Sequence, residues 1–374
     1  MMRKVIFLAI SILLIISACT FKNFNTQEKQ YTFALGLRPL PKEFLDWWFE
    51  NLDEIKSEDR KAVAFGRDIA QTQTVKTSPV LDPSYIPYSY DMREWGLVTP
   101  PKNQGSNGTC WAFATVGSLE SAMLTQLGTY EISQRFPFIP DPHNPDLSEQ
   151  FVAYYNADWK IVPCINNLDS IENGWNLSWQ ETNHDIGGNA FFSTYNLIRR
   201  GVPVEEDFPY IKDNYDWIAW NPTSDNWKYH LVRTDGTIVI PPYDRFTDYD
   251  TYINTIKSVL MEYGALCVGI MVYEDFGDYW WYWPSYGKVY QRISGDKRGG
   301  HAVLLIGWDD NYYDNTSGYY GPVWILKNSW GTDGGDEGYF YLPMITQDEF
   351  LNGQCPDWKI EYVEYGYMYV PVFE

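Results

Sequence analysis

Gln104-Gly105-Ser106-Asn107-Gly108-Thr109-Cys110-Trp111-Ala112-Phe113 places a glycine-rich turn, a capping residue and a helix start in one short stretch. Thr109 suits an N-cap, and beyond it Ala112, Val116, Leu119 and Met123 recur at helical spacing. Gly128 suits the stop of that helix. Just upstream, Thr99-Pro100-Pro101 holds the chain out of helix before the turn. Cys110 therefore sits in the first turn of the predicted helix, where the dipole and unpaired N–H groups favour a thiolate. A thiolate there can attack a carbonyl, given a base to share its proton. The chain has four histidines, and those at 143, 184 and 230 lie in loop-like text. His301 instead follows Gly299-Gly300 and opens the run Ala302 to Gly307.

Outward from this segment the chain changes character halfway. Leu147 to Tyr155, with Ser148 near its cap, and Ala190 to Arg200, closed by Gly201, read as two further helices. Residues 156 to 186 are irregular and aromatic, and Pro137 to Pro145 reads as loop. After that come short β-branched or aromatic runs separated by turn residues: Thr237 to Ile240, Leu266 to Val272, Lys288 to Gln291, Ala302 to Gly307, Val323 to Lys327, Gly338 to Leu342 and Tyr362 to Val370. That pattern predicts an antiparallel sheet or barrel. A helical half and a β half imply a cleft between two lobes, a natural place for chemistry.

These motifs resemble the papain/cathepsin family of cysteine peptidases. The nucleophile segment is similar to the family's, and the likeness runs upstream through Ile86-Pro87, Asp91, Arg93 and Val98-Thr99-Pro100. It returns at Leu147-Ser148-Glu149-Gln150, Gly187-Gly188, Gly299-Gly300-His301-Ala302-Val303 and Lys327-Asn328-Ser329-Trp330-Gly331. The resemblance implies an α+β, papain-like two-lobe fold over residues 86–374. Its helical lobe would span about 105–210 and its antiparallel, barrel-like lobe about 211–374. It implies Cys110 as nucleophile, His301 as acid/base partner and Asn328 as the residue that orients the imidazole. Trp330 would shield the His301–Asn328 bond, and Gln104 would donate to the oxyanion beside the Cys110 N–H. Gly187 and Gly188 would hydrogen-bond extended substrate, glycine allowing close approach of two chains, with Gly108 also on the substrate side. The chemistry requires no cofactor or metal.

Departures from the family pattern are informative. Asn107, Tyr155 and Asp185 stand where the family carries cysteines, so the helical lobe is expected to rely on packing, helped by the aromatic insert at 156–183. His301 and Asn328 lie further from Cys110 than the family's usual 130–150 residues, which implies inserted loops. One of them, Asp309 to Pro322, carries Asp309, Asp310 and Asp314; a calcium site and a solvated hairpin are both open. Cys267 reads as buried core. Cys164 and Cys355 are left as a pair whose bonding the sequence does not decide.

The N-terminus points outside the cytoplasm. Arg3 and Lys4 precede an apolar run from Val5 to Ile16, too short to span a bilayer comfortably and fit for an export signal. The run ends Ile16-Ser17-Ala18-Cys19, which resembles the lipobox of bacterial lipoproteins. That implies removal of residues 1–18, a lipid on Cys19, and an anchored protein of the bacterial cell envelope, with the outer membrane or cell surface favoured. Residues 19–85 then hold a tether, to about 40, and a helix-like stretch from Pro41 to about Gln71. Phe44, Trp47, Trp48, Leu52 and Ile55 give that stretch its helical spacing. It reads equally as a removable prosegment or a permanent spacer.

A formal net charge of −21 argues against a nucleic-acid partner, which needs a basic footprint. The expected partner is a peptide or protein, and the expected state a monomer. Aromatic clusters such as Tyr279-Trp280-Trp281-Tyr282-Trp283 read first as core and interface packing. The function that follows is an exported peptidase. Two alternatives use the same residues differently: an amidase or transpeptidase passing the acyl group to an amine, or a surface-binding lipoprotein without catalysis.

Overall fold

Pro100 and Pro101 keep the chain extended up to Gly105, whose φ of 64° turns it back toward the helix start. A computed structural model describes residues 35–37, 86–155, 187–212, 222–292, 294–360 and 368–373. The signal segment, Cys19, the 41–71 stretch, Cys164, Asp185 and the 156–183 insert lie outside the described residues.

The first strand, β1 (Ser89–Asp91), is followed by α1 (Cys110–Gln126). Every residue from Cys110 to Leu124 is buried. Small residues make that possible: Ser118 donates to the Ala265 carbonyl at 2.6 Å, and Gly117 leaves room for Leu304 and Lys327. Gly128 does break the helix axis, at φ 72°, but a second helix, α2 (Gly128–Arg135), starts from it where the sequence reading had only a stop. Next come α3 (Glu149–Tyr154), α4 (Ala190–Arg199), β2 (Val202–Pro203), β3 (Leu231–Val232) and β4 (Gly236–Ile240). Ser148 caps α3 by accepting from the Phe151 N–H at 3.0 Å, as its position predicts.

The second half is not strand alone. Between β4 and β5 (Leu266–Tyr273) lies α5 (Tyr249–Tyr263), capped by Asp248, with Tyr252, Ile253, Ile256, Val259 and Leu260 buried along one face. After β5 comes α6 (Asp275–Tyr286), then β6 (Lys297–Tyr313), β7 (Tyr320–Lys327), β8 (Tyr339–Pro343), α7 (Gln347–Asn352) and β9 (Met368–Val372). Lys288 to Gln291 forms no strand, only a bridge from Val289 to Tyr341. One sheet runs β4-β9-β5-β6-β7-β8, with β1 also paired to β6, and each of these pairings is antiparallel. The lobes interleave: β1 from the chain's first half joins the large sheet, while β3 returns to pair with β2.

The 309–322 insertion is the tip of the β6–β7 hairpin. Asp310 pairs with Lys257 at 2.6 Å, and Asp314 accepts from the Val289 and Thr316 N–H groups and the Ser317 hydroxyl. Asp310 thus ties the hairpin to α5, and Asp314 shapes its turn and ties it to Val289. Among the described residues no group of three or more His, Cys, Asp or Glu is placed to hold a metal ion.

A charged cluster sits where α1 meets the sheet. Lys102 contacts Glu120, Asp146 and Glu149 at 2.6–3.0 Å, and Lys327 donates to the Thr99 carbonyl at 2.9 Å. Burial lifts the Glu149 and Glu205 carboxyls above the ordinary glutamate range, with neighbouring carboxylates adding to the shift and Lys102 opposing it. Burial pushes the Lys327 ammonium down to about 8. A carboxyl raised in the fold binds a proton the unfolded chain has already lost, so its contribution is complete below the unfolded value. It fades as pH climbs from about 4.5 through the shifted one. Lys327 acts in the opposite sense only between about 8 and its ordinary 10.5. His301, whose imidazole burial pulls down to about 4, opposes this fading below about pH 6.5. The thermal midpoint is therefore expected to fall from about pH 5.5 to pH 8, more steeply above about 6.5, and then level off, with a shallower fall in Glu149→Gln. Melts whose midpoint climbs over that interval would contradict the assignment.

Candidate active site

Cys110, His301 and Asn328 come from α1, β6 and the residue just past β7, and the fold brings them together. The Cys110 sulfur accepts from the N–H of Ala302, the residue after His301, at 3.4 Å. His301 Nε2 lies 2.8 Å from Asn328 Oδ1. That oxygen also accepts from the Ser329 N–H at 2.8 Å, which fixes the amide's orientation, so the imidazole nitrogen is the donor. Among the described residues His301 Nδ1 has no hydrogen-bond partner, and both Cys110 and His301 are fully buried. The Trp330 ring covers the imidazole, with centroids 4.8 Å apart and a tilt of 32°.

Gln104 is fully buried beside them. Its amide nitrogen donates to the Asn107 carbonyl at 2.7 Å, and its oxygen accepts from the Ser329 hydroxyl at 2.5 Å. The turn holding it is tied across the lobe. The Asn107 amide donates to the Tyr210 hydroxyl and the Ile211 carbonyl, and Thr109 shares a 2.6 Å hydrogen bond with Tyr210. Where the sequence reading expected packing to replace the missing cysteine at 107, the structure has a polar tie. Tyr155 does what was expected of it, packing with Phe151 at 4.5 Å and with Trp227. Cys267 is buried core, and burial pushes its thiol up.

Residues that the sequence reading assigned to a tether lie in the site. Leu35-Gly36-Leu37 crosses it as an extended strap. The Gly188 N–H donates to the Gly36 carbonyl at 2.8 Å, the Leu37 N–H donates to the Gly300 carbonyl at 3.3 Å, and Leu37 bridges Gly188 in parallel. Gly187, at φ 62°, turns the chain into position for this pairing. Gly36 passes so close to Gly108 that a Cβ on it would stand 1.8 Å from the Gly108 carbonyl oxygen. Gly108, Gly187 and Gly188 thus all contribute to holding an extended chain, and that chain is the protein's own.

Burial sets the electrostatics. Burial pushes the Cys110 thiol up to about 11, opposed by hydrogen bonds from Ala302, Gly36, Trp111 and Leu37. Burial pulls the His301 imidazole down to about 4, opposed by its bond to Asn328. Between these values both groups are neutral. The strap left little trace in sequence, because glycine flanked by two leucines is common and its contacts here run through the backbone.

The family model described as papain family cysteine protease matches residues 86–135 and 171–355. A probable cysteine protease of Arabidopsis thaliana, RD19C, is 28% identical over 268 residues, 71% of this chain and 59% of that protein. The viral cathepsin of Choristoneura fumiferana nuclear polyhedrosis virus is 29% identical over 275 residues, covering 72% of this chain and 64% of its own. This chain therefore spans about three fifths of the length of these relatives. Among solved structures, the ragweed pollen allergen Amb a 11, a cysteine protease in its proform, superposes with a TM-score of 0.50 at 19% identity. That superposition covers 84% of this chain and 74% of the allergen.

Proposed function

The chain belongs to the papain family of cysteine proteases, and from that premise we propose that it hydrolyses peptide bonds through Cys110, His301 and Asn328. One observation carries the reading: the groove over Cys110 already holds extended peptide backbone, hydrogen-bonded to Gly188 on one side and Gly300 on the other. With a substrate there instead, the Cys110 thiolate attacks the carbonyl carbon. The resulting oxyanion takes hydrogen bonds from the Cys110 N–H and the Gln104 amide. His301, carrying the thiol's proton, gives it to the departing amine as the C–N bond breaks. Water then attacks the thioester, returning a proton through His301 and freeing the acid. Asn328 keeps the ring in the tautomer this requires, with Trp330 as cover.

In this reading the strapped chain is latent, and residues N-terminal to 86 act as a prosegment in part. The lipobox-like Ile16-Ser17-Ala18-Cys19 supports an exported, lipid-anchored protein of a bacterial envelope. Incorporation of labelled fatty acid, absent in Cys19→Ala, tests the anchor. Digestion of a peptide library, read by mass spectrometry with and without an added amine, tests the chemistry. Free carboxyl ends, absent in Cys110→Ala, are expected. Amide products would favour acyl transfer, and intact peptides with no labelling of Cys110 by an epoxide inhibitor, in a chain whose strap is displaced by Gly36→Val, would sink catalysis altogether.

A further inference from the structure

Behind Trp330 stands a second indole that the proposed reaction does not use. Trp280, on α6, is fully buried and meets Trp330 edge-on with centroids 5.6 Å apart. Phe276, one helical turn earlier, meets Trp330 edge-on at the same 5.6 Å and stacks near Trp280 at 6.3 Å. Both aromatic residues therefore press on the ring that covers His301.

The seat for Trp280 is made by two glycines. A Cβ on Gly334 would lie 2.1 Å from Trp280 Nε1, and one on Gly335 would lie 2.5 Å from Trp280 Cζ3. The Gly335 N–H also donates to the Trp280 carbonyl at 2.8 Å. No side chain at either position fits while the indole is in place. Trp280 Nε1 has no hydrogen-bond partner among the described residues, so the indole serves here by shape and apolar surface.

We propose that Phe276 and Trp280 are positioning residues, seated on Gly334-Gly335, which press Trp330 onto the imidazole and keep water from the His301–Asn328 hydrogen bond. The bond joins neutral groups in a buried site, where exclusion of water strengthens it and its loss to solvent loosens the ring. Edge-on aromatic contacts of this kind fix ring orientation as well as burying area. The role in catalysis rests on the peptidase reading, but the protection of the imidazole proton does not.

The test measures, in the full chain carrying Gly36→Val so that the strap does not mask activity, the exchange of the His301 Nε2 proton with water by NMR, alongside kcat, KM and the thermal midpoint. Trp280→Ala is expected to speed exchange about tenfold or more and to lower kcat about tenfold, leaving KM nearly unchanged. Trp280→Phe is expected to restore most of both, since no hydrogen bond is lost. Gly334→Ala should reproduce the Trp280→Ala effect by displacing the indole, yet add little in the Trp280→Ala background. Wild-type exchange in Trp280→Ala, or effects of Gly334→Ala and Trp280→Ala that multiply, would overturn the inference. A drop in thermal midpoint alone, with exchange unmoved, would also overturn it. An inactive Gly36→Val chain would instead count against the peptidase reading and leave the exchange result to be judged by itself.

Discussion

Gly36→Val in the full chain is expected to raise the rate at which iodoacetamide alkylates Cys110 at neutral pH by roughly 10²–10³-fold. The strap is held by the Gly188-to-Gly36 and Leu37-to-Gly300 hydrogen bonds and by two half-buried leucines. At about 1 kcal/mol for each hydrogen bond and a similar amount for each leucine, closure is favoured by about 3–4 kcal/mol. Tenfold in the open population corresponds to about 1.4 kcal/mol, which gives the expected range. Valine cannot occupy position 36 without driving its Cβ into the Gly108 carbonyl, so the variant removes most of that preference. The pH dependence should change with it. Under the strap the thiol ionises near 11 and the imidazole near 4, so the alkylation rate should climb steadily toward alkaline pH. Once water reaches the pair, burial no longer holds the thiol up or the imidazole down. The rate should then be substantial near neutrality. Equal rates and equal pH profiles in the two proteins would mean that the strap does not gate the sulfur.

The strap also marks where sequence reasoning runs out. Cys110, His301, Asn328 and Gln104 were legible because each sits in a motif whose neighbours have their own structural jobs. Gly105 makes the turn, Thr109 begins the helix, and Ser329 ties Gln104 to Asn328. Leu35 to Leu37 has no such context: its contacts are made by peptide groups that every residue carries. The two longer of the three α-helices described in the second half, α5 and α6, were missed for different reasons. In α5 the signal was present, since Asp248 caps it and Ile253, Ile256 and Leu260 share its buried face, but the reading followed the β-branched runs on either side and left the stretch between them unassigned. In α6 the local signal is poor. The segment is aromatic, carries Pro284 and leaves helical geometry at Tyr282. Its helix is imposed by tertiary contacts of Phe276, Tyr279 and Trp280, which overrule local propensity. Asn107 shows the reverse failure. A missing cysteine was visible, but its replacement depends on Tyr210 and Ile211, about a hundred residues away.

Cys110→Ala and His301→Ala, each made with Gly36→Val so that the strap does not mask the result, are each expected to lower kcat/KM for a peptide substrate by about 10⁴-fold or more. The double variant should fall no further. The reason is that sulfur and imidazole act as one unit. Without the imidazole the thiol is not deprotonated and the leaving amine receives no proton, while without the sulfur the imidazole has no nucleophile to serve. Removing the second partner therefore removes nothing that the first had left working. Asn328→Ala should cost less, about 10²-fold, because it frees the ring to turn without deleting either reacting atom. Its loss should fall on kcat, since Asn328 bonds the imidazole while the backbone of an occupant is held at Gly188 and Gly300. Independent losses that multiply in the double variant would show that Cys110 and His301 do not share a step. A Cys110→Ala protein that still cleaves would move the nucleophile elsewhere, and the hydrogen bond between Ala302 and the Cys110 sulfur would then be only a structural contact between helix and sheet.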